Sequence, residues 1–430
     1  EMPVTPPSTA VPGAIPRILY GEKLPGHDGV LYPYPLSIIN RPLDWLLTAA
    51  GHSPLANPFV TFPVPIHNAT MFAGSDWGQK VNAAIVALPT TGGVVDARGL
   101  TGSQVLSGDL SITKPGATLL AGPTTLTMGG FRIRVSSAAH GFQLIGNNPL
   151  SANQAVGSTG GTFFLHNTGT VNPIEIGDGA ALLYGVKLYG FAIHCTGAPD
   201  DIGVVGLWLK RLSHCIVEAV YIPCGTTKLN QTCLRVDGAG GATTYVTLIG
   251  LLLNGGGKSL HLTGSGVNAA NAIVVVGGSL TPGGGAGTGK AVVIDADGNG
   301  NFLLGTGVSG AATGIDLSGN AKNNYFNCRF EANTVDAVFA AGSTDNWVQG
   351  SGLTNVTDSD GSNTVLKQTA SGMYTFGRDI TASGGFRENV EGYFQDNPPA
   401  GQAATEATRS IGRWVAPYPG SITAIIAELG

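Results

Sequence analysis

The feature that most constrains this chain is a recurring triplet of the form apolar-x-apolar, followed several residues later by a second short strand. The triplets are Ile174-Glu175-Ile176, Leu207-Trp208-Leu209, Leu234-Arg235-Val236, Leu260-His261-Leu262, Val292-Val293-Ile294, Ile315-Asp316-Leu317 and Ala337-Val338-Phe339. Their last residues are 33, 27, 26, 32, 23 and 22 positions apart. Asn301-Phe302, Asn324-Tyr325 and Asn346-Trp347 each begin seven residues after a triplet ends, and Asn271-Ala272 begins nine after. Of the alternatives, a β-sandwich or a propeller, the propeller takes about 40 to 45 residues per blade and does not fit a period near 22. One coil of a parallel β-helix does fit. A single coil cannot bury its inward side chains, but coils stacked at about 4.8 Å form continuous aliphatic ladders and pair strand on strand.

Composition agrees with an all-β solenoid. The 430 residues include 66 Gly, and only 22 Lys+Arg and 27 Asp+Glu. Glycine at that level costs about 1 kcal/mol per residue in a helix, so a helical bundle is excluded. At solenoid corners Gly and Asn are useful instead, because they adopt left-handed backbone cheaply. A net charge of -5 with Lys and Arg scattered singly offers no phosphate-binding footprint, so nucleic acid is not an expected partner. No apolar run approaches the ~18 residues of a membrane span, and Glu1-Met2-Pro3 does not read as a signal peptide. Cys195, Cys215, Cys224, Cys233 and Cys328 form no C-x-x-C pair and have no His or Asp at zinc spacing. They are expected to be small buried hydrophobes, and neither a metal nor a cofactor is expected.

Three regions follow. Residues 1–70 hold 13 of the 25 prolines and are expected to form an extended arm, which the many large apolar residues around Tyr32, Tyr34 and Trp45 should press against a larger assembly or a sister chain. Residues 71–368 are expected to be the β-helix, capped by a helix over about 76–88. There Ser75 or Asp76 can cap, Trp77, Val81, Ile85 and Leu88 make one apolar stripe, and Pro89 ends the run. Residues 369–430 read as a separate small β element, possible opening strands of a β-sandwich. Either the chain is cut short there or those strands complete a neighbour's sheet.

The stretch SDWGQKVNAAIVALPTTGGVVDARGLTG, Ser75 to Gly102, resembles the capping helix and first coil of pectate-lyase-like right-handed parallel β-helix proteins. The Asn-aromatic coils at 301, 324 and 346 resemble the repeats of that superfamily. With the Pro-rich arm and the C-terminal β element, the whole plan is similar to phage tailspikes and tail fibres. That resemblance implies a right-handed coil, a homotrimer, attachment through the arm, and binding, often with cleavage, of cell-surface polysaccharide. It places the protein on a virion tail or an extracellular surface.

Strand alternation puts the middle residue of each triplet outside. The expected outer row is Glu175, Trp208, Arg235, His261, Val293, Asp316 and Val338. Glu175, Trp208, Arg235 and His261 combine a ring with charged groups, which suits a saccharide. Glycoside hydrolysis generally needs two carboxyls roughly 5 to 9.5 Å apart. The candidates are Asp295 or Asp297 with Asp316, and Asp316 with Glu331. Asp200-Asp201 and Asp358-Ser359-Asp360 are acidic pairs in loops, read first as solvated acids rather than calcium ligands. No motif decides whether the chain cleaves what it binds as a glycoside hydrolase or polysaccharide lyase. Two other readings stay open: a surface filament or adhesin subunit polymerising through its arm or C-terminal strands, and a secreted polysaccharide-degrading enzyme.

Overall fold

The computed structural model describes residues 65–147, 160–166, 168–198, 203–238, 240–264, 268–284, 287–295, 297–359, 361–368 and 374–376. Of the arm expected over residues 1–70, residues 1–64 lie outside the described residues, and the end of it differs from the expectation, since Ile66–Asn68 is a strand of the stack. The C-terminal element also lies outside the described residues, apart from the strand Tyr374–Phe376.

Helix α1, Trp77–Ala87, closes the N-terminal end of the core. Asp76 is its N-cap, accepting a hydrogen bond from the Gln79 N–H at 2.9 Å, and Leu88 is its C-cap. The apolar stripe faces inward as its spacing requires: Trp77, Val81, Ile85 and Leu88 are all buried.

Among the described residues the strands form two sheets, one of ten strands and one of 22. Every pairing is parallel except the last, where Thr364–Gln368 meets Tyr374–Phe376 antiparallel. The first strand, Ile66–Asn68, pairs with Val94–Asp96 ahead of the rest of the stack. The chain is a right-handed parallel β-helix, the hand that parallel crossovers take. Each triplet lies in a strand of the ten-stranded sheet, and the flanking apolar residues, such as Leu207, Leu234, Leu260, Val292 and Ile315, stack inward into one continuous core.

Two features of the second sheet bear on stability. Asn301, Asn324, Asn346 and Asn363 are buried and joined in series, each Nδ2 donating to the next Oδ1 at 2.9, 2.9 and 2.8 Å. The backbone N–H of each of the first three donates to the same oxygen, and Asp358 closes the series by accepting from Asn363 Nδ2 at 2.8 Å. Asn271 stands outside this ladder, accepting from the Asn299 N–H at a corner. The corner itself is left-handed in successive coils at Gly185, His214, Tyr245, Ala272, Gly300, Asn323 and Asp345. Gly and Asn therefore share it with His, Tyr, Ala and Asp. A separate small cluster holds Phe163, Ala192 and Tyr221, with His194 edge-on to the Phe163 ring at 5.6 Å and to the Tyr221 ring at 5.8 Å. All five cysteines are buried and free.

Candidate functional site

The ten-stranded sheet pairs in the register that the triplets imply. Glu175 stands opposite Trp208, Trp208 opposite Arg235, Arg235 opposite His261, His261 opposite Val293, Val293 opposite Asp316, and Asp316 opposite Val338. Strand pairing therefore stacks these residues into one column parallel to the solenoid axis. A second outward column lies two residues further along each strand and contains Lys210, Asp237, Thr263 and Asp295. A third, at the strand starts, contains Thr232, Lys258, Lys290 and Thr313 in register.

The columns are cross-linked by charge. Glu175, buried at 4% exposure, receives Asn172 Nδ2 at 3.0 Å and lies 3.4 Å from Arg132, 3.7 Å from Arg134 and 3.3 Å from Lys210. Trp208 donates its indole N–H to Asp237 at 3.0 Å, and Arg235 pairs with the same carboxylate at 3.1 Å. The Lys210 ammonium sits 3.7 Å from the Trp208 ring centroid and the Arg235 guanidinium 5.0 Å from it. The ring thus holds two cations in place on the face, a cation–π arrangement.

His261 Nε2 and Asp295 Oδ2 are 2.9 Å apart, and Thr263 donates to the same oxygen at 2.6 Å. Burial alone would raise the Asp295 carboxyl, but the hydrogen bonds from His261 and Thr263 and the nearby Lys258 charge outweigh it and bring its pKa down to about 2. Lys290 pairs with Asp316. Asp295 and Asp316 thus lie on adjacent strands of the same outer face. Glu331 does not join them: it ends the strand Tyr325–Glu331 in the other sheet, exposed and paired with Arg329 at 2.6 Å. Asp297 occupies a left-handed turn position. Asp358 caps the Asn ladder, while Asp200, Asp201 and Asp360 lie outside the described residues.

The contrast with the other sheet is sharp. Its outward column reads Thr118, Gln143, Lys187, Ile216, Thr247, Val274, Phe302, Tyr325, Trp347 and Thr364, with one charge in ten. Its aromatic end is a stack, Phe302 to Tyr325 at 6.3 Å and Tyr325 to Trp347 at 6.2 Å. Such a stack stabilises the sheet through its own cross-strand contacts.

The loops leading into the strands that start at Lys258 and Lys290 enclose an open cavity of about 700 Å³. It is lined by Thr226, Thr227, Asn254, Thr281 and Thr288, with Leu229 and backbone glycines. Hydroxyls and an amide, without charge, line this hollow.

No protein-family model and no curated protein matches the chain. Among solved structures it is similar to tailspike protein 2 of an Escherichia coli bacteriophage, at 15% identity and a TM-score of 0.43, over 71% of this chain and 42% of the tailspike. A Geobacillus virus protein is similar at 12% identity and a TM-score of 0.37, over 79% and 66% of the two chains. The A-module of a mannuronan C-5 epimerase from Azotobacter vinelandii is similar at 13% identity and a TM-score of 0.36, over 70% and 97%. The chain spans less than half the length of the tailspike it matches.

Sequence reasoning placed the central column but missed Lys258 and Lys290. Simple alternation fails there, because Ser259 and Leu260, like Ala291 and Val292, are consecutive buried residues. That doubled inward step changes the parity and turns the preceding lysine outward. Lys210 and Asp237 were missed as well, although they obey alternation and stand two residues beyond a triplet centre, where the same rule finds them.

Proposed function

We propose that the protein binds a cell-surface polysaccharide along the outer face of its ten-stranded sheet. The observation that supports this reading is the gathering of Glu175, Lys210, Arg235, Asp237, His261, Asp295 and Asp316 in adjacent columns on that face. The opposite sheet carries almost no charge in its outward column. A glycan laid along the axis would meet the accessible charges of Arg235, Lys290 and Asp295 on successive coils, with the buried Glu175, Asp237 and His261 holding the face together, and the Thr-lined cavity offers uncharged hydroxyls beside them. Isothermal titration of a polysaccharide panel against the full chain tests this. Trp208→Ala, which releases Lys210, Arg235 and Asp237 together, is expected to weaken binding at least tenfold. Unchanged affinity with an intact fold would remove this face from the reading.

Within this proposal the protein is a tailspike- or tail-fibre-type homotrimer mounted through its arm on a virion tail, a reading supported by the order in the sequence of a Pro-rich stretch, the capped solenoid and a C-terminal β-like pattern. Mass photometry of closed trimers supports it, and open polymers favour a filament subunit. If the bound glycan is cleaved, Asp295 and Asp316 are the carboxylates to test. With its pKa near 2, Asp295 suits the role of base or nucleophile rather than acid. Absence of new reducing or unsaturated ends from a bound glycan would make the protein a receptor binder only.

A further inference from the structure

The carboxylates of the charged face have partners. Glu175 has Arg132, Arg134 and Lys210; Asp237 has Trp208 and Arg235; Asp295 has His261 and Thr263; Asp316 has Lys290. Lys258 is different. Its side chain is partly buried, yet among the described residues no carboxylate comes within ion-pair or hydrogen-bond distance of its ammonium, Asp295 and Asp316 acting on it only from further away. It stands directly opposite Lys290 on the next strand. Burial pushes its pKa down; Lys290 and Arg235 add to that, while the charges of Asp295 and Asp316 oppose it without reaching ion-pair distance. Like charges directly opposite on neighbouring strands are destabilising, and a desolvated ammonium without a partner is costly as well. The fold does not require either cost, because Thr232 and Thr313 fill the same column on the flanking strands.

We infer that Lys258, with Lys290 and Arg235 beside it, is the subsite for an anionic group of an acidic polysaccharide. This rests on the glycan-binding reading of the same face and adds the substrate class. A carboxylate on a sugar supplies the lone pairs that the Lys258 ammonium lacks, and it relieves the repulsion from Lys290 by sitting between the two. Lys258 then discriminates acidic from neutral chains, since a neutral sugar leaves the ammonium desolvated and unpaired.

The test uses the full chain and two sets of probes: polygalacturonate, alginate, hyaluronan and dextran sulfate as acidic polysaccharides, dextran and galactomannan as neutral ones. At least one acidic polysaccharide is expected to bind, with carboxylated chains separated from sulfated ones by direct comparison. Lys258→Gln is expected to weaken that binding at least tenfold while leaving the melting temperature unchanged or higher. Lys258→Arg should retain most of the affinity, and Arg329→Gln, on the other sheet, all of it. A Lys258→Gln protein that binds as tightly as the original overturns the inference, as does one that merely melts earlier with affinity unchanged. Binding confined to neutral polysaccharides that is still lost on Trp208→Ala overturns the acidic subsite but keeps the glycan site. Binding of none of the six, with Trp208→Ala also without effect on any panel glycan, removes both.

Discussion

His194 shows what a single buried titratable side chain can do to this protein. Burial brings its pKa down to about 4, and its Nε2 has no hydrogen-bond partner among the described residues. The folded value lies below the unfolded value of about 6.5, so the unfolded chain binds the extra proton first. Stability is therefore full above about pH 6.5 and falls as pH drops towards 4, by roughly 3 kcal/mol in all. Asp295 acts lower: its depressed pKa contributes above about pH 4 and is lost towards pH 2. With 36% of its side chain exposed, solvent screening reduces that contribution to about 1 kcal/mol. His194, together with His166, whose pKa burial also lowers, should thus outweigh Asp295 in acid sensitivity. His194→Leu is expected to make the fall in melting temperature between pH 6.5 and 4 shallower, the remainder belonging to His166, while leaving the fall below pH 4 in place. An unaltered pH profile would show that the imidazole is not kept neutral by its surroundings.

At the scale of the element, the Asn ladder concentrates more stability in four side chains than their polarity would lead one to expect. Truncating Asn324 removes the oxygen that accepts from both the Asn301 N–H and Asn301 Nδ2, and the donor that reaches Asn346 and the Gly298 carbonyl. A buried N–H left without a partner costs about 1–3 kcal/mol, so Asn324→Ala is expected to destabilise by about 2–4 kcal/mol in denaturant titrations. A loss under about 1 kcal/mol would show that water replaces the missing amide. The spacing of Asn301, Asn324 and Asn346 was visible in the sequence because each follows a triplet at a constant interval. Their linkage was not visible, since a buried, serially bonded amide and a solvent-facing turn Asn look alike without the coil above. The central column was legible for a related reason: Trp208, Arg235 and His261 each sit between two apolar residues, and alternation alone sends them outward. Glu331 was misplaced relative to Asp316 because proximity in sequence says nothing about which of two sheets a strand joins.

For the whole molecule, the solenoid makes stability local, since each coil touches mainly its neighbours. Trp77 is fully buried in the capping helix, and Trp77→Ala is expected to cost about 3–5 kcal/mol. That loss should not spread evenly. Hydrogen exchange followed by mass spectrometry is expected to show faster exchange in Gly93–Ala97 and Ala117–Ala121, with the coils from Phe302 to Gly350 unchanged. Uniform acceleration along the chain would mean that the coils unfold as one unit instead. The parallel β-helix was readable from period and glycine content, but the use of His214, Tyr245 and Ala272 at left-handed corners was not, because local strain there is outweighed by the stack on either side. The outer column has one more consequence. Its backbone repeats at every coil, but its side chains run Glu, Trp, Arg, His, Val, Asp, Val, with no two neighbours alike. A polymer of identical units that slipped by one coil would find a different partner at every position. On the proposed binding reading, the surface would be an aperiodic ruler on a periodic scaffold, fixing both the frame and the direction of a chain that has no landmarks of its own.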